Sequence, residues 1–256
     1  MNMNRRRLAV LLAVFCSLVM ISCGNRYKEK PFGGMNGRVQ KVTVYHLMPE
    51  VWYAGFEGTD VMYVNTSIYD VYGNEICSAT MDSAERVQVE TESIFEDGVS
   101  VRSSQKSGGR TVATLNLMSK DGNTLVYNKE MNGRITRMTV KQSSFLRRHK
   151  SVVTEEGVVA EVRKIRTDRQ GYPVKITVTD SKKGVKTVQT NEFDENHNVI
   201  RKHLYTEYLS DGIHEQSSVI MEYGDPDDHG NWKDCRTFNE FRLPLEVLVR
   251  EIEYWD

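Results

Sequence analysis

A short turn element that recurs along the chain constrains its fold more than any other feature of the sequence. In each copy an aromatic or β-branched segment leads into Asp-x-x-Gly or Asx-Gly, and a second such segment follows. Aspartate can accept hydrogen bonds from the backbone two residues on, and glycine adopts positive φ without steric cost, so each copy predicts a hairpin. The six copies are centred on Gly73, Gly98, Gly122, Gly171, Asn198 and Gly230.

Apolar and polar residues alternate between the turns. The clearest run follows the fourth turn and reads Val174, Lys175, Ile176, Thr177, Val178, Thr179. A period of two is typical of a strand with one face toward water, and no comparable helical pattern occurs in this part of the chain. We therefore predict an all-β antiparallel meander of about fifteen strands with little helix. Because open twisted sheets seldom exceed about ten strands, we expect two packed sheets, one continuous curved sheet, or a rolled, barrel-like form.

A longer repeat lies above the turn element. The sequence MNGRVQKVTV at residues 35–44 recurs as MNGRITRMTV at residues 131–140, with six identities in ten. The turns that follow keep the same order in both copies, which predicts two related halves, residues 35–130 and 131–256. The second half ends in an added apolar strand, LEVLVREIEYW, which could cover an exposed sheet edge.

The N-terminal segment resembles a bacterial lipoprotein signal peptide. Three arginines, Arg5–Arg7, precede an uncharged apolar run, Leu8–Ile21, and a small residue, Ser22, precedes Cys23. About fourteen apolar residues fall short of the roughly twenty that span a bilayer, so a cleaved segment is favoured over a transmembrane anchor. We expect cleavage after residue 22 and a lipid on Cys23.

Lipidation would hold the domain close to a membrane. Residues 23–34 would form the tether, and its first nine residues span only about 30 Å when extended. Two or three acyl chains give lasting attachment where one chain does not. The residues after Cys23 are Gly24-Asn25-Arg26 and lack an acidic cluster of the kind associated with surface export, so the periplasmic side of the bacterial envelope is favoured.

Charge and cysteine content exclude several classes of protein. From Cys23 onward the chain has 31 basic and 35 acidic residues, a net charge of −4, whereas a nucleic-acid binder needs a basic face. Beyond the signal peptide and the lipidated residue only Cys77 and Cys235 remain, too few for a disulfide scaffold. The envelope permits a bond between them, but two half-buried free thiols are favoured.

The turn element also carries a family resemblance. Tyr69-Asp70-x-x-Gly73-Asn74 resembles the YD repeat of the RHS family, and GRVQKV together with the ending DDHGNWKDC…REIEYW is similar to a set of YD-repeat lipoproteins of Gram-negative bacteria. The resemblance covers most of residues 35–256. RHS proteins are far longer shells around a toxin, so this chain does not inherit that role. The resemblance implies an envelope location and a β fold, and no activity.

No motif for catalysis, metal or cofactor binding stands out. The chain lacks a G-x-S-x-G elbow, an S-x-x-K motif and a glycine-rich phosphate loop, and its six histidines form no ligand set. The acidic turn at residues 225–231 has the oxygens of a calcium loop without the EF-hand spacing, so a tight Asx hairpin is favoured. We predict no catalytic residue, no metal and no cofactor.

One segment differs from the tight polar turns. Residues 48–58 contain three aromatic side chains, and Trp52, Tyr53 and Phe56 are the best binding candidates because exposed aromatics stack on sugars, peptides and proteins. The alternative, that they close one end of the core, is slightly favoured. The matching insertion in the second half carries Arg147, Arg148 and Lys150, for which a solvated basic turn is favoured over contact with lipid head groups.

The sequence therefore favours a non-enzymatic envelope lipoprotein that binds or displays a glycan, a peptide or a partner protein. A lipid or lipoprotein carrier with a concave apolar sheet is one alternative. The other is an envelope glycan hydrolase, because the two carboxylates of such an enzyme are set by their separation in space rather than in sequence.

Overall fold

Sixteen antiparallel strands form one closed barrel. The structure is a computed structural model that describes residues 35–49 and 61–256, and no helix occurs in these ranges. The predicted all-β meander is confirmed, and the sheet takes the rolled form. The strands are β1 Val39–Leu47, β2 Val61–Tyr69, β3 Glu75–Asp82, β4 Val87–Glu96, β5 Val99–Ser107, β6 Arg110–Asp121, β7 Thr124–Met131, β8 Arg134–Phe145, β9 Arg148–Glu155, β10 Val158–Thr167, β11 Pro173–Asp180, β12 Val185–Phe193, β13 Val199–Tyr208, β14 His214–Tyr223, β15 Asp234–Asn239 and β16 Pro244–Tyr254.

The last strand closes the barrel against the first. Strands β1–β15 each pair with the next strand in sequence, and β16 pairs with β1 from Val39–Tyr254 to Leu47–Val247. Closure leaves no unpaired strand edge, which is the main hazard of a long meander. The sheet runs without a break through residues 130 and 131, so the two predicted halves belong to one wall and their relation stays a prediction.

The strand order defines two ends of the barrel. We call the end where β1 begins the N-terminal end, and the end where β1 stops the far end. Turns between β2 and β3, β4 and β5, and so on lie at the N-terminal end, whereas turns between β1 and β2, β3 and β4, and so on lie at the far end. Trp255, which follows β16, is also at the N-terminal end, where its amide donates to the Arg38 carbonyl at 2.7 Å.

One face of the wall is packed and points inward. All three clusters of buried apolar residues lie on it, and each draws on strands that are close together in the wall. The largest centres on Tyr127, which is 1 % exposed and donates its hydroxyl to the Ser100 carbonyl at 3.1 Å across the intervening strand. Side chains crowd on the concave face of a closed sheet, so burial identifies that face as the inner one.

The opposite face is charged over much of its area. Lys106 on β5 pairs with Glu90 at 3.1 Å and Glu92 at 2.9 Å, both on β4, and Lys186 on β12 pairs with Glu207 on β13 at 2.8 Å. A barrel wall embedded in lipid presents an outward apolar band about 25 Å tall, so these parts of the wall face water. Within the described ranges, no helix is long and apolar enough to cross a bilayer.

The wall has a different character where it closes. On β1 and β2 the outward side chains Leu47 and Val64 are apolar and buried, and they lie beside Val247 and Val249 of β16. The inward side chains of the same strands include Val42 and belong to the second apolar cluster. This part of the wall is therefore packed on both faces.

The turns have the predicted geometry. Gly73 and Gly171 have φ of 84° and 93°, and His197 replaces glycine in the same conformation with φ of 65°. In each turn of this kind the first aspartate side chain accepts a hydrogen bond from the backbone amide four residues on, as Asp70 does from Asn74 at 2.9 Å. The sequence analysis missed two further copies without glycine, Asp82–Arg86 and Asn239–Leu243, whose left-handed residues are Glu85 and Arg242.

A polar network holds the closing strands at the N-terminal end. The Asn231 side chain accepts the Asn36 amide at 2.8 Å and donates to the Asn36 carbonyl at 2.9 Å and to the Tyr254 hydroxyl at 2.7 Å. That hydroxyl donates to Asp227, which also accepts the His229 and Asn231 amides at 2.9 and 2.8 Å. The acidic turn is thus the Asx hairpin that the sequence favoured. Its side chains bind both Asn36, which precedes β1, and Tyr254 at the end of β16, the two strands that close the barrel.

The ionisable groups of this network respond to their packing. Burial and the hydrogen bond to Asp227 raise the pKa of Tyr254 to about 12. Burial alone would raise the pKa of Asp227, but the hydroxyl and amide hydrogen bonds lower it. The guanidinium of Arg250 lies 3.7 Å from the Trp232 ring centroid, and burial lowers its pKa to about 10.

The two remaining cysteines are free thiols on opposite faces of the wall. Cys77 faces outward beside Ile68 and Glu92, whereas Cys235 faces inward and is fully buried. Burial raises the pKa of Cys235 to about 12, so this thiol stays protonated and unreactive near neutral pH. Both thiols are free, as the sequence favoured, but only Cys77 is half-buried, because Cys235 packs inside the closed wall.

Replacing Asn231 with alanine should lower the free energy of unfolding by about 1–3 kcal/mol, because the buried Asn231 side chain makes three hydrogen bonds, to the Asn36 amide, the Asn36 carbonyl and the Tyr254 hydroxyl, and all three would be lost. Chemical denaturation followed by circular dichroism measures the change. Asn116→Ala, at an exposed outward position on β6, is the control and should lie within about 0.5 kcal/mol of the wild type. Equal stabilities of the two variants would contradict a fastening role for Asn231.

Candidate functional site at the far end

Exposed apolar side chains collect at the far end of the barrel. Six of its eight hairpins contribute at least one among the described residues, and Val158 and Phe241 are 70 % and 75 % exposed. Exposed apolar residues that gather at one end of a protein can mark an interaction site. We call this set the far-end rim, and it comprises Met48, Val87, Met131, Ile135, Val158, Val159, Leu209, Ile213, Phe241, Leu243 and Leu245.

A charged group lies on the inner face just below one side of the rim. Glu155, the last residue of β9, accepts hydrogen bonds from Lys129 on β7 at 3.0 Å and from Lys182 in the β11–β12 hairpin. Lys129 and Glu155 are both largely buried. Burial alone would raise the pKa of Glu155, but the hydrogen bonds from the two lysines lower it.

A second carboxylate of this group, Glu161, lacks, within the described part of the chain, the lysine partners that Glu155 has. Glu161 lies next to a bulge in β10, is 8 % exposed, and faces Asp180 across the pair of strands. Its Oε1 atom has no hydrogen-bond partner among the described residues. Burial raises the pKa of Glu161, and the neighbouring charge of Asp180 adds to the increase, while that of Arg163 opposes it.

A hydrogen-bonded chain lies on the other side of the barrel at the same level. Thr80 donates to the Asn65 carbonyl at 2.9 Å, the Asn65 amide lies 3.0 Å from His46 Nε2, and His46 Nδ1 lies 2.9 Å from Glu246. In this arrangement the imidazole ring joins the Asn65 amide to the Glu246 carboxylate. Tyr63 stacks on the imidazole ring with 3.9 Å between the ring centroids, and burial raises the pKa of Tyr63 to about 12.

The far end therefore combines an apolar rim with polar groups set inside it. His46 on β1 and Glu155 on β9 are eight strands apart in a wall of sixteen, so the two polar groups lie on opposite sides of the barrel. Apolar rim contacts supply binding energy, and fixed polar groups select for complementary ones.

The residues that the sequence nominated are only partly placed. Cys23, Trp52, Tyr53 and Phe56 lie outside the described residues. β1 ends and β2 begins at the far end, and the aromatic segment connects them in the chain. Arg148 and Lys150 are at the N-terminal end of β9, on the outward face.

The rim itself was not found in the sequence. Its members are single apolar residues beside turns, such as Ile213 and Leu243. The sequence of an apolar strand is the same whether the rest of the protein buries the strand's end or leaves it exposed. Two adjacent apolar residues directly after a turn glycine, Val158 and Val159, were the available signal. Their exposure follows from the closed topology, which brings alternate turns to one end.

No family model and no curated protein sequence matches the chain. The solved structures that resemble it at low identity include two porin-like proteins. A porin-like protein from Bacteroides uniformis is 11 % identical with a TM-score of 0.38, and the match covers 85 % of this chain and 99 % of that one. A porin-like protein from Bacteroides vulgatus is 10 % identical with a TM-score of 0.41, over 85 % and 98 % of the two chains.

Replacing Glu161 with glutamine should stabilise the barrel at pH 7. The pKa of Glu161 is higher in the folded than in the unfolded protein. Its contribution to the wild type's free energy of unfolding is therefore greatest below the unfolded-state pKa of about 4.3, and it is lost as the pH rises through the folded-state pKa. The variant avoids that loss, and the two proteins should converge below about pH 4. Thermal unfolding across pH measures the difference.

Glu155→Gln is the matched control and should behave in the opposite way. The pKa of Glu155 is lowered in the folded state, so its contribution is present above about pH 4.3 and is lost as the pH falls through the folded value. The control should be less stable than the wild type at pH 7. Two variants with the same sign at pH 7 would contradict the environments described for these carboxylates.

Proposed function

We propose that this chain is a lipid-anchored, non-enzymatic barrel of the bacterial envelope that binds a peptide or protein partner at its far end. The observation that carries the proposal is the far-end rim, an apolar surface at the end of the barrel opposite the N-terminus. A chain anchored through Cys23 would hold its N-terminal end toward the membrane. The rim would then point away from it and meet a partner.

Inner-face packing counts against the lipid-carrier alternative. A carrier needs a continuous apolar lining with room for an acyl chain, but Tyr127, Leu125 and Cys235 are buried against their neighbours. Polar residues interrupt the apolar clusters, and Ser103 and Gln105 on β5 are 2 % and 3 % exposed. The inner face supports a packed wall better than a lipid cavity.

Four inner carboxylates near the far end, Glu155, Glu161, Asp180 and Glu246, give little support to a glycan hydrolase. Glu155 is held by two lysines, and Glu246 by His46. Asp180 accepts the amides of Lys182 and Lys183 at 3.0 and 2.9 Å and so shapes its own hairpin. Glu161 is the one of these four with an oxygen that lacks a partner, and a single carboxylate does not make the required pair.

Anchoring is tested separately from partner binding. Cys23→Ser should abolish incorporation of radiolabelled palmitate and move the protein out of the membrane fraction after processing, because the thiol is the acylation site. Cys77→Ser is the control and should keep both the label and the membrane association, since Cys77 lies in the barrel wall. Palmitate on the Cys23→Ser protein would rule out this anchor.

Partner binding is tested with exposed side chains whose loss leaves the fold intact. Phe241→Ser together with Leu243→Ser should reduce capture of the partner at least tenfold in photo-crosslinking from intact envelopes, because buried apolar anchors dominate interface energies. The matched control is Val71→Ser with Tyr72→Ser, two exposed residues at the N-terminal end. The same crosslinked partners for the wild type and the rim variant would refute the proposed site.

A further inference from the structure

A second surface lies on the outward face of the wall, near the N-terminal end. Strands β8–β11 carry seven outward bases within their described lengths and no outward acid. Five of them are adjacent and exposed, and we call these five the basic face: Arg148, Lys150, Lys164, Arg166 and Lys175. They surround a depression of about 390 Å³ that Phe145 also lines.

The basic face departs from the pattern of the rest of the outer wall. Elsewhere outward lysines face acids, as Lys41 faces Glu253 at 2.8 Å. Here the register sets like charges opposite each other, and Lys150 pairs with Lys164 across β9 and β10. Like charges directly opposite destabilise a sheet, and no ion pair joins these five bases to an acid in the described part of the chain. An external anion would relieve that repulsion.

Exposed apolar residues lie beside these bases. Phe145 ends β8 and Leu146 begins the turn to β9, and the two are 75 % and 84 % exposed. Leu146 has a φ of 53°, which is unusual for leucine. Arg147 and Arg148 follow at once in the chain. An aromatic and an aliphatic side chain next to arginines is the composition that enters the boundary between lipid head groups and acyl chains.

The position of this surface also fits a membrane. Both the β8–β9 hairpin and the start of β1 are at the N-terminal end, so the chain enters the barrel at the end where the basic face lies. β1 and β9 are eight strands apart, on opposite sides of the wall. A tether at β1 and a contact at β9 would hold the barrel at two points across its diameter.

The other turns at this end make the contact one-sided. Most of them contain acids, including Asp70, Asp97, Asp121 and Asp194, which an anionic surface repels. The β10–β11 turn beside the basic face also contains an acid, Asp168, which Arg169 follows. The five bases outnumber it, so the β8–β11 side is the side on which the barrel would meet such a surface.

We propose that the basic face docks on the phosphate groups of an anionic lipid surface, with Phe145 and Leu146 inserted between the head groups. Lysine and arginine each contribute to binding near such a surface, and arginine pairs with phosphate through two parallel hydrogen bonds. The inference goes beyond the proposed function, because it concerns how the barrel sits on the membrane and does not require a partner at the far end.

Lysine footprinting of the full-length protein in vesicles tests the proposal. Acetylation by an N-hydroxysuccinimide ester is read by mass spectrometry in phosphatidylcholine vesicles and in vesicles with about one third phosphatidylglycerol. Lys150, Lys164 and Lys175 should react at least fivefold more slowly on the anionic vesicles. Lys120, at the same end on β6, and Lys183, at the far end, should react equally on both.

Two variants separate the basic face from general charge. Arg148→Glu with Arg166→Glu should remove the protection while leaving the reporting lysines in place. Arg102→Glu with Arg110→Glu makes the same change in net charge on β5 and β6, and this variant should keep the protection of the three lysines. Circular dichroism and the labelling of Lys120 check that both variants are folded.

Three outcomes would overturn the proposal. Equal labelling of the three lysines on neutral and anionic vesicles would show that the basic face does not dock on lipid. Protection on neutral vesicles after addition of inorganic phosphate, without protection on anionic vesicles, would assign the site to a free anion. Protection that survives in the Arg148→Glu/Arg166→Glu variant would place the contact elsewhere. None of these results bears on the rim, so failure here and failure of the proposed function are distinguishable.

Discussion

Pairing between β1 and β16 is the interaction on which the rest of the structure depends. Without it the chain would be an open sheet of sixteen strands with two unpaired edges, a form that aggregates through those edges. With it, alternate turns collect at two ends and the wall acquires an inside and an outside. The Asn231–Asn36 and Tyr254–Asp227 hydrogen bonds fasten this seam from a turn that belongs to neither strand.

Closure also gives the two ends different chemistry. The far end gathers exposed apolar residues around two polar groups. The N-terminal end gathers acidic Asx turns, the basic β8–β9 hairpin and exposed apolar residues in or near other turns, such as Tyr72 and Met118. The apolar residues of the far-end rim can stabilise a complex only in direct contact with a partner surface. The basic face can attract an anionic surface by electrostatics over about 10 Å at ordinary salt. A barrel held by its N-terminal end would thus keep its membrane-facing and partner-facing functions about one strand length apart.

Much of the fold could be predicted, because turn chemistry and alternation are local. The six predicted turns occur, and Ile176 and Val178 face inward while Lys175 and Thr177 face outward. The candidate site could not be predicted in the same way. Phe241 and Leu243 are unremarkable in sequence, and the repeated Met-Asn-Gly-Arg motif precedes β1 in one copy and turns β7 into β8 in the other. Gly37 packs against His229 and Tyr254, while Gly133 has open space around it.

The sequence by itself determined the strand content, the turn positions and the side of each strand that is apolar, because these depend on residues within a few positions of one another. Tertiary structure alone decided that the sheet closes, that Cys77 and Cys235 face opposite sides, and which apolar residues remain uncovered. Those properties depend on contacts between residues about two hundred positions apart, as between Asn36 and Asn231. The alternation of polar and apolar residues along one strand does not specify which distant strand pairs with it to close the barrel.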